Sequence, residues 1–210
     1  NQSLPGVMSR YLLGGQDGGN IHWNPDDNPI EYQTQFEWIA FASLDPALVK
    51  RLIQVSQAII VLLAAWAIGW RKLPRDDGRR GLHYAIVLCA MLLLNQRTWD
   101  HHAAILLPGT IAVWYALAYG RMNRRARSAA LICMLWGTMG DLTHAYGRAA
   151  GLDEDGAEHL ANLILAYGPD FYYFLLLFIA AVILSMAMRR QEDPYAQQRQ
   201  PVLASATVNS

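Results

Sequence analysis

Residues 82–119 read "LHYAIVLCAMLLLNQRTWDHHAAILLPGTIAVWYALAY", thirty-eight residues between two basic segments. Upstream, "RKLPRDDGRR" supplies Arg71, Lys72, Arg75, Arg79 and Arg80; downstream, "GRMNRRAR" supplies Arg121, Arg124, Arg125 and Arg127. Segments rich in Lys and Arg beside apolar runs stay on the cytoplasmic side of a membrane. With both flanks inside, the chain between them crosses an even number of times. As helix it measures roughly 57 Å, about two crossings of a hydrocarbon core roughly 30 Å thick. The turn therefore falls near the middle, on Thr98-Trp99-Asp100-His101-His102. Placed at the outer interface, these polar groups are solvated at little cost. Pro108, just beyond, is tolerable in a membrane helix and is expected to kink it.

Composition agrees. The chain has 210 residues, 53% hydrophobic and only 16% charged, where a soluble domain carries about 25% charged. Its seven Trp and ten Tyr suit the water–lipid interface. The formal net charge is zero, so no global field draws nucleic acid. Cys89 and Cys133 each lie within an apolar run and read as packing residues. The chain opens on Asn1, not Met, with no signal-peptide pattern ahead of its apolar runs, so it is expected to be either a processed chain or the C-terminal part of a longer one.

Working outward, Asp45-Pro46 starts a first span, with Asp as N-cap and Pro at the first helical position. From Pro46 to Trp70 it runs roughly 37 Å, enough to cross. A fourth span reads from Ser128 to about Leu142, followed by a loop with Asp153, Glu154, Asp155 and Glu158 that suits the outside. Leu160 to Tyr167 is a short apolar helix, and Asp170 is expected to cap a fifth span, Phe171 to Met188, ended by Arg189-Arg190. At the N-terminus Ser3 is placed to cap a helix whose Leu4, Val7, Met8, Tyr11 and Leu12 share one apolar face, as an interfacial helix does. "YQTQFEWIAF" is a second interfacial stretch. The expected architecture is an all-α polytopic membrane protein: an outer segment with interfacial helices over 1–47, five transmembrane helices over 48–188, and a disordered cytoplasmic tail over 189–210.

Chemistry concentrates on the outer side. Asp100, His101 and His102 share it with Asp141 and His144, which end the fourth span, and with Asp170. The bland reading is simple solvation at an interface. Against it stand the adjacent histidines, the Trp99 anchor and the number of converging ionisable groups, which near membrane depth point to function. Metal binding fits poorly: adjacent His side chains diverge by about 100° on a helix, and no HxxxH or HxH pair appears. General base catalysis needs less, one imidazole and a carboxylate to orient it. Arg10 and Arg97 suit phosphate, against a snorkelling or solvated alternative.

Two motifs resemble the polytopic glycosyltransferases of family 87, GT-C-type enzymes that include polyprenyl-phosphate-mannose-dependent mannosyltransferases of envelope synthesis. "NQSLPGVMSR" is similar to the family's Asn-Gln-Ser-x-x-Gly-x-x-x-Arg segment at Asn1, Gln2, Ser3, Gly6 and Arg10. "TWDHHAAILLP" is similar to its Ser-Trp-Asp-His-His turn and following span at Trp99, Asp100, His101, His102 and Pro108. The chain departs just upstream, with Asn95-Gln96 in place of Ser-Pro, and Thr98 replaces Ser.

The resemblance implies a GT-C-like membrane enzyme that moves a hexose, mannose foremost, from a polyprenyl monophosphate donor to a lipid or glycan acceptor on the outer face of the plasma membrane. Membrane lipids are its other partners, and nucleic acid is not. His101, His102 and Asp100 carry the catalytic expectation. Asn1, Gln2, Ser3, Arg10, Arg97, Trp99, Asp141 and His144 are the candidates for donor or acceptor binding. No cofactor is implied, though a divalent metal is compatible with the residue types. GT-C enzymes place an acidic residue in their first outer loop; it has no counterpart here, so the chain is expected to be a C-terminal portion. The rival readings are a non-catalytic membrane subunit and a transporter fragment. Relay residues of a transporter lie near the bilayer midplane, whereas these lie at span ends.

Overall fold

The computed structural model describes residues 3–13, 40, 42–70, 72–75, 77–95, 104–138 and 168–189. Among the described residues the chain is helical with no strand. Its helices are α1 (Leu4–Leu12), α2 (Pro46–Ile68), α3 (Arg79–Leu94), α4 (Leu107–Tyr119), α5 (Arg124–Thr138) and α6 (Pro169–Met188). Residues 1–2, 14–39, 41, 71, 76, 96–103, 139–167 and 190–210 lie outside the described residues, and with them the expected turn at 98–102, the expected short helix over Leu160 to Tyr167 and the expected disordered tail.

Local chemistry sets the helix starts. Ser3 caps α1 by accepting from the Gly6 N–H at 3.3 Å. Asp45 caps α2 by accepting from the N–H groups of Ala47 (2.8 Å) and Leu48 (3.1 Å), with Pro46 following. Asn123 accepts from the Ala126 N–H at 2.8 Å, so α5 begins at Arg124, ahead of the expected Ser128. Arg also has a high helix propensity. Two expectations are corrected. Asp170 does not cap α6: Gly168, in the left-handed region at φ 75°, takes the N-cap position. Asp170 lies in the first turn, where its charge favours the helix N-terminus. Pro108 does not interrupt a long helix either. It lies in the first turn of α4, where a missing N–H breaks no helical bond.

The chain-adjacent helices alternate in direction. An added Cβ at Gly81 would stand 3.1 Å from the Ala112 Cβ, and one at Gly109 would stand 3.1 Å from the Ala85 Cβ. The small residues of α3 and α4 thus bring two antiparallel backbones together. At one end meet the C-termini of α2, α4 and α6 and the starts of α3 and α5. There Ser185 donates to the Ala67 carbonyl at 3.0 Å, and Gly120 packs against Met188. At the other end Gln57 donates to the Leu94 carbonyl at 3.3 Å, and the hydroxyls of Thr110 and Tyr173 are 2.7 Å apart.

The core follows from α6. It is apolar all round, and it packs against α2, α3, α4 and α5, most extensively against α5 and α3. Phe174, Leu177, Phe178, Ala181 and Leu184 are buried from it, as expected for a helix without a polar face. By contrast α2 leaves Val55, Ile59, Val61, Leu62, Leu63 and Trp66 exposed. Exposed Met91 of α3, Ile111 and Trp114 of α4, and Ile132, Leu135 and Trp136 of α5 continue this apolar surface. Two helices, α2 and α6, are long and apolar enough to cross a membrane, which indicates membrane association. At about 1.5 Å per residue, α3 and α4 each measure ~24 Å or less.

Arginines close the end where α2, α4 and α6 finish. Arg79 forms a buried ion pair with Asp77 at 2.6 Å and donates to the carbonyls of Met188 (3.3 Å) and Arg189 (3.4 Å). Arg189 donates to the Trp66 carbonyl at 3.2 Å, and Arg127 donates to the Gly120 carbonyl at 2.9 Å. The terminal carbonyls of three helices thus each receive a guanidinium, the favourable charge for a helix C-terminus.

Candidate functional site

The expected site divides between described and undescribed residues. Asn1, Gln2, Arg97, Trp99, Asp100, His101, His102, Asp141 and His144 lie outside the described residues; Ser3 and Arg10 lie within them. Structure therefore speaks through the groups that flank the turn. α3 ends at Leu94 with Asn95 extended behind it, and the chain is next described from Ala104, in the turn that enters α4. Because α3 and α4 are antiparallel neighbours, Asn95 and Ala104 belong to the same end of the bundle, opposite the arginine-closed end.

The N-terminal motif is held at this same end. α1 packs against α2 and α3, with Leu4 and Val7 buried and Met8 and Tyr11 against the core. Its last turn is tied to the approach of α2 by the Ala42 N–H to the Tyr11 carbonyl (3.3 Å) and the Leu44 N–H to the Leu12 carbonyl (2.8 Å). Tyr11 also meets Tyr172, at the start of α6, with hydroxyl oxygens 3.0 Å apart. The Ser3 side chain is fully buried beneath this helix, so its structural work is the cap. Arg10 is half-buried in the last turn. Burial lowers the pKa of its guanidinium, opposed by the Tyr11 and Tyr172 phenols. Arginine is not deprotonated in proteins, so it stays a cation.

Three groups here escaped sequence reasoning: Thr110, Tyr172 and Tyr173. The Thr110–Tyr173 pair is separated by 63 residues, and no local pattern announces such a contact. With Tyr11, these side chains give the end of the bundle that bears Asn95 and Ala104 a set of paired hydroxyls able to donate to or accept from a polar ligand. Among the described residues no group of three or more His, Cys, Asp or Glu side chains gathers to hold a metal ion. No protein-family model matches the chain, and no curated protein or solved structure matches it either.

Proposed function

We propose that this chain belongs to a multi-pass membrane glycosyltransferase of GT-C type. It moves a hexose, mannose foremost, from a polyprenyl monophosphate to a lipid or glycan acceptor at the outer face. One observation carries the reading: α1, bearing Ser3 and Arg10, is held at the same bundle end as Asn95 and Ala104, the residues that bracket the Asp100-His101-His102 turn. The N-terminal motif is thus held at the bundle end that carries the two described residues flanking the second motif, which supports the reading. The five-span arrangement is supported by the alternating helices and by the apolar surface of α2, α3, α4 and α5, which in water would favour association. The basic end faces the cytoplasm.

In this reading the acceptor oxygen attacks the anomeric carbon as the bond from that carbon to the phosphate oxygen breaks. An imidazole, His101 or His102, takes the hydroxyl proton, and Asp100 orients its neighbour. Charge grows on the departing lipid phosphate, and Arg10 or Arg97 stabilises it. Trp99 and α1 shape the lipid-facing approach. Asn1, Gln2, Asp141 and His144 complete the donor and acceptor contacts.

Transfer of radiolabelled mannose from polyprenyl-phosphate-mannose, measured in membranes carrying the native protein, tests the assignment. His101→Ala or His102→Ala is expected to lower transfer ~100-fold or more, the scale of a lost general base. Full activity in both well-folded variants would overturn it and favour the non-catalytic subunit. Separately, in a background without Cys89 and Cys133, a cysteine at Thr98 should react with an impermeant thiol reagent from outside. One at Gly78 should not.

A further inference from the structure

We propose that the arginine-closed end carries a binding surface for anionic phospholipid headgroups, centred on Arg121, Arg124 and Arg125. Some arginines of this end are buried in or directed at the fold, and others are exposed. Arg79, Arg127 and Arg189 direct guanidinium N–H groups to backbone carbonyls and hold helix ends together. Arg121, Arg124 and Arg125 are exposed where α4 passes into α5, and Lys72 and Arg75 are exposed between α2 and α3. Among the described residues the one carboxylate at this end is Asp77, whose charge is engaged by Arg79 inside the fold. Among the described residues, cations thus outnumber carboxylates at this end.

Position adds to charge. Arg124 and Arg125 form the first turn of α5, where the helix dipole favours an anion. Beside this end Trp66, Trp70, Tyr115 and Tyr119 expose their rings, and Trp and Tyr favour headgroup depth. Basic clusters directly beside membrane helices draw the acidic lipids of the cytoplasmic leaflet. The occupant is thus a phospholipid with a net negative headgroup, its phosphate among the three arginines. Only the choice of leaflet rests on the orientation given above; the binding itself does not.

The test uses the full chain in nanodiscs that leave both faces accessible, made of phosphatidylcholine alone or mixed with phosphatidylglycerol. Retained lipid is counted by native mass spectrometry across a phosphatidylglycerol titration. The wild-type protein is expected to retain phosphatidylglycerol in preference to phosphatidylcholine, less so as salt is raised. The triple variant Arg121→Gln/Arg124→Gln/Arg125→Gln should bind it about 100-fold more weakly, and Arg124→Gln alone, should the triple variant not fold, about fivefold. Unchanged retention in a folded variant overturns the proposal. So does complete displacement by inorganic phosphate at equal concentration, which marks a site for the free anion. Labelling of the Gly78 cysteine from outside would overturn the orientation and leave the binding result standing.

Discussion

A guanidinium nitrogen of Arg79 stands 3.3 Å from the carbonyl oxygen of Met188, joining the first turn of α3 to the last turn of α6. Asp77 makes this junction possible by accepting from the other edge of the same guanidinium at 2.6–3.0 Å. Removing Asp77 leaves a buried cation with its charge uncompensated, whereas removing both charges does not. Asp77→Ala is therefore expected to cost ~3 kcal/mol, and Asp77→Ala/Arg79→Met distinctly less. Thermal unfolding of the purified protein in detergent should rank the double variant above the single one.

Gly69 ends α2 at φ 69°, and a Cβ added there would approach a guanidinium nitrogen of Arg189 to 2.8 Å. Gly69→Ala meets both backbone strain and that collision, for a loss of ~2 kcal/mol. Adding Arg189→Ala removes the collision and leaves the strain. The double variant is expected to recover only part of the lost melting temperature, less whatever the bond to Trp66 contributed.

A Cβ added at Gly109 would stand 3.2 and 3.1 Å from the Cα and Cβ of Ala85, and backbone cannot move aside as a side-chain tip does. Gly109→Leu should drive α3 and α4 apart and cost on the order of 2–3 kcal/mol. Gly109→Ala should be much milder. A cysteine pair placed at Gly81 and Ala112 would report the separation through a lower yield of cross-linking in the Leu variant.

The Ser3 side chain caps α1 by accepting from the Gly6 N–H. Ser3→Ala is expected to cost ~1 kcal/mol, confined to that helix. Hydrogen exchange should show faster exchange of the α1 amides with the α6 amides unchanged. The same variant is expected to weaken donor binding by displacing Arg10.

Whatever rests on near neighbours in sequence was legible. The Asp45-Pro46 start, the Ser3 cap and the apolar face of α1 are local devices, and each stands where its residues placed it. Asp170 shows the limit: a residue that favours the cap position was overridden by Gly168, which alone of the two reaches the left-handed backbone without strain. Arg79 shows another. In the sequence it is one of five cations in a basic loop, and only tertiary packing separates it from Arg75, which stays exposed. Legibility was least for the candidate site. Its polar residues identify themselves by type, but the hydroxyl pairs beside them join residues 63 and 161 positions apart.

The helix that packs against four of the others, α6, follows them all in the chain. During synthesis α2, α3, α4 and α5 thus emerge with their inward faces uncovered, and Ala67, Arg79 and Gly120 wait for partners at the end of α6 not yet made. Until then the faces later filled by Phe174, Phe178 and Leu184 are open to lipid or to a membrane chaperone. Closure of the bundle therefore waits for the synthesis of α6.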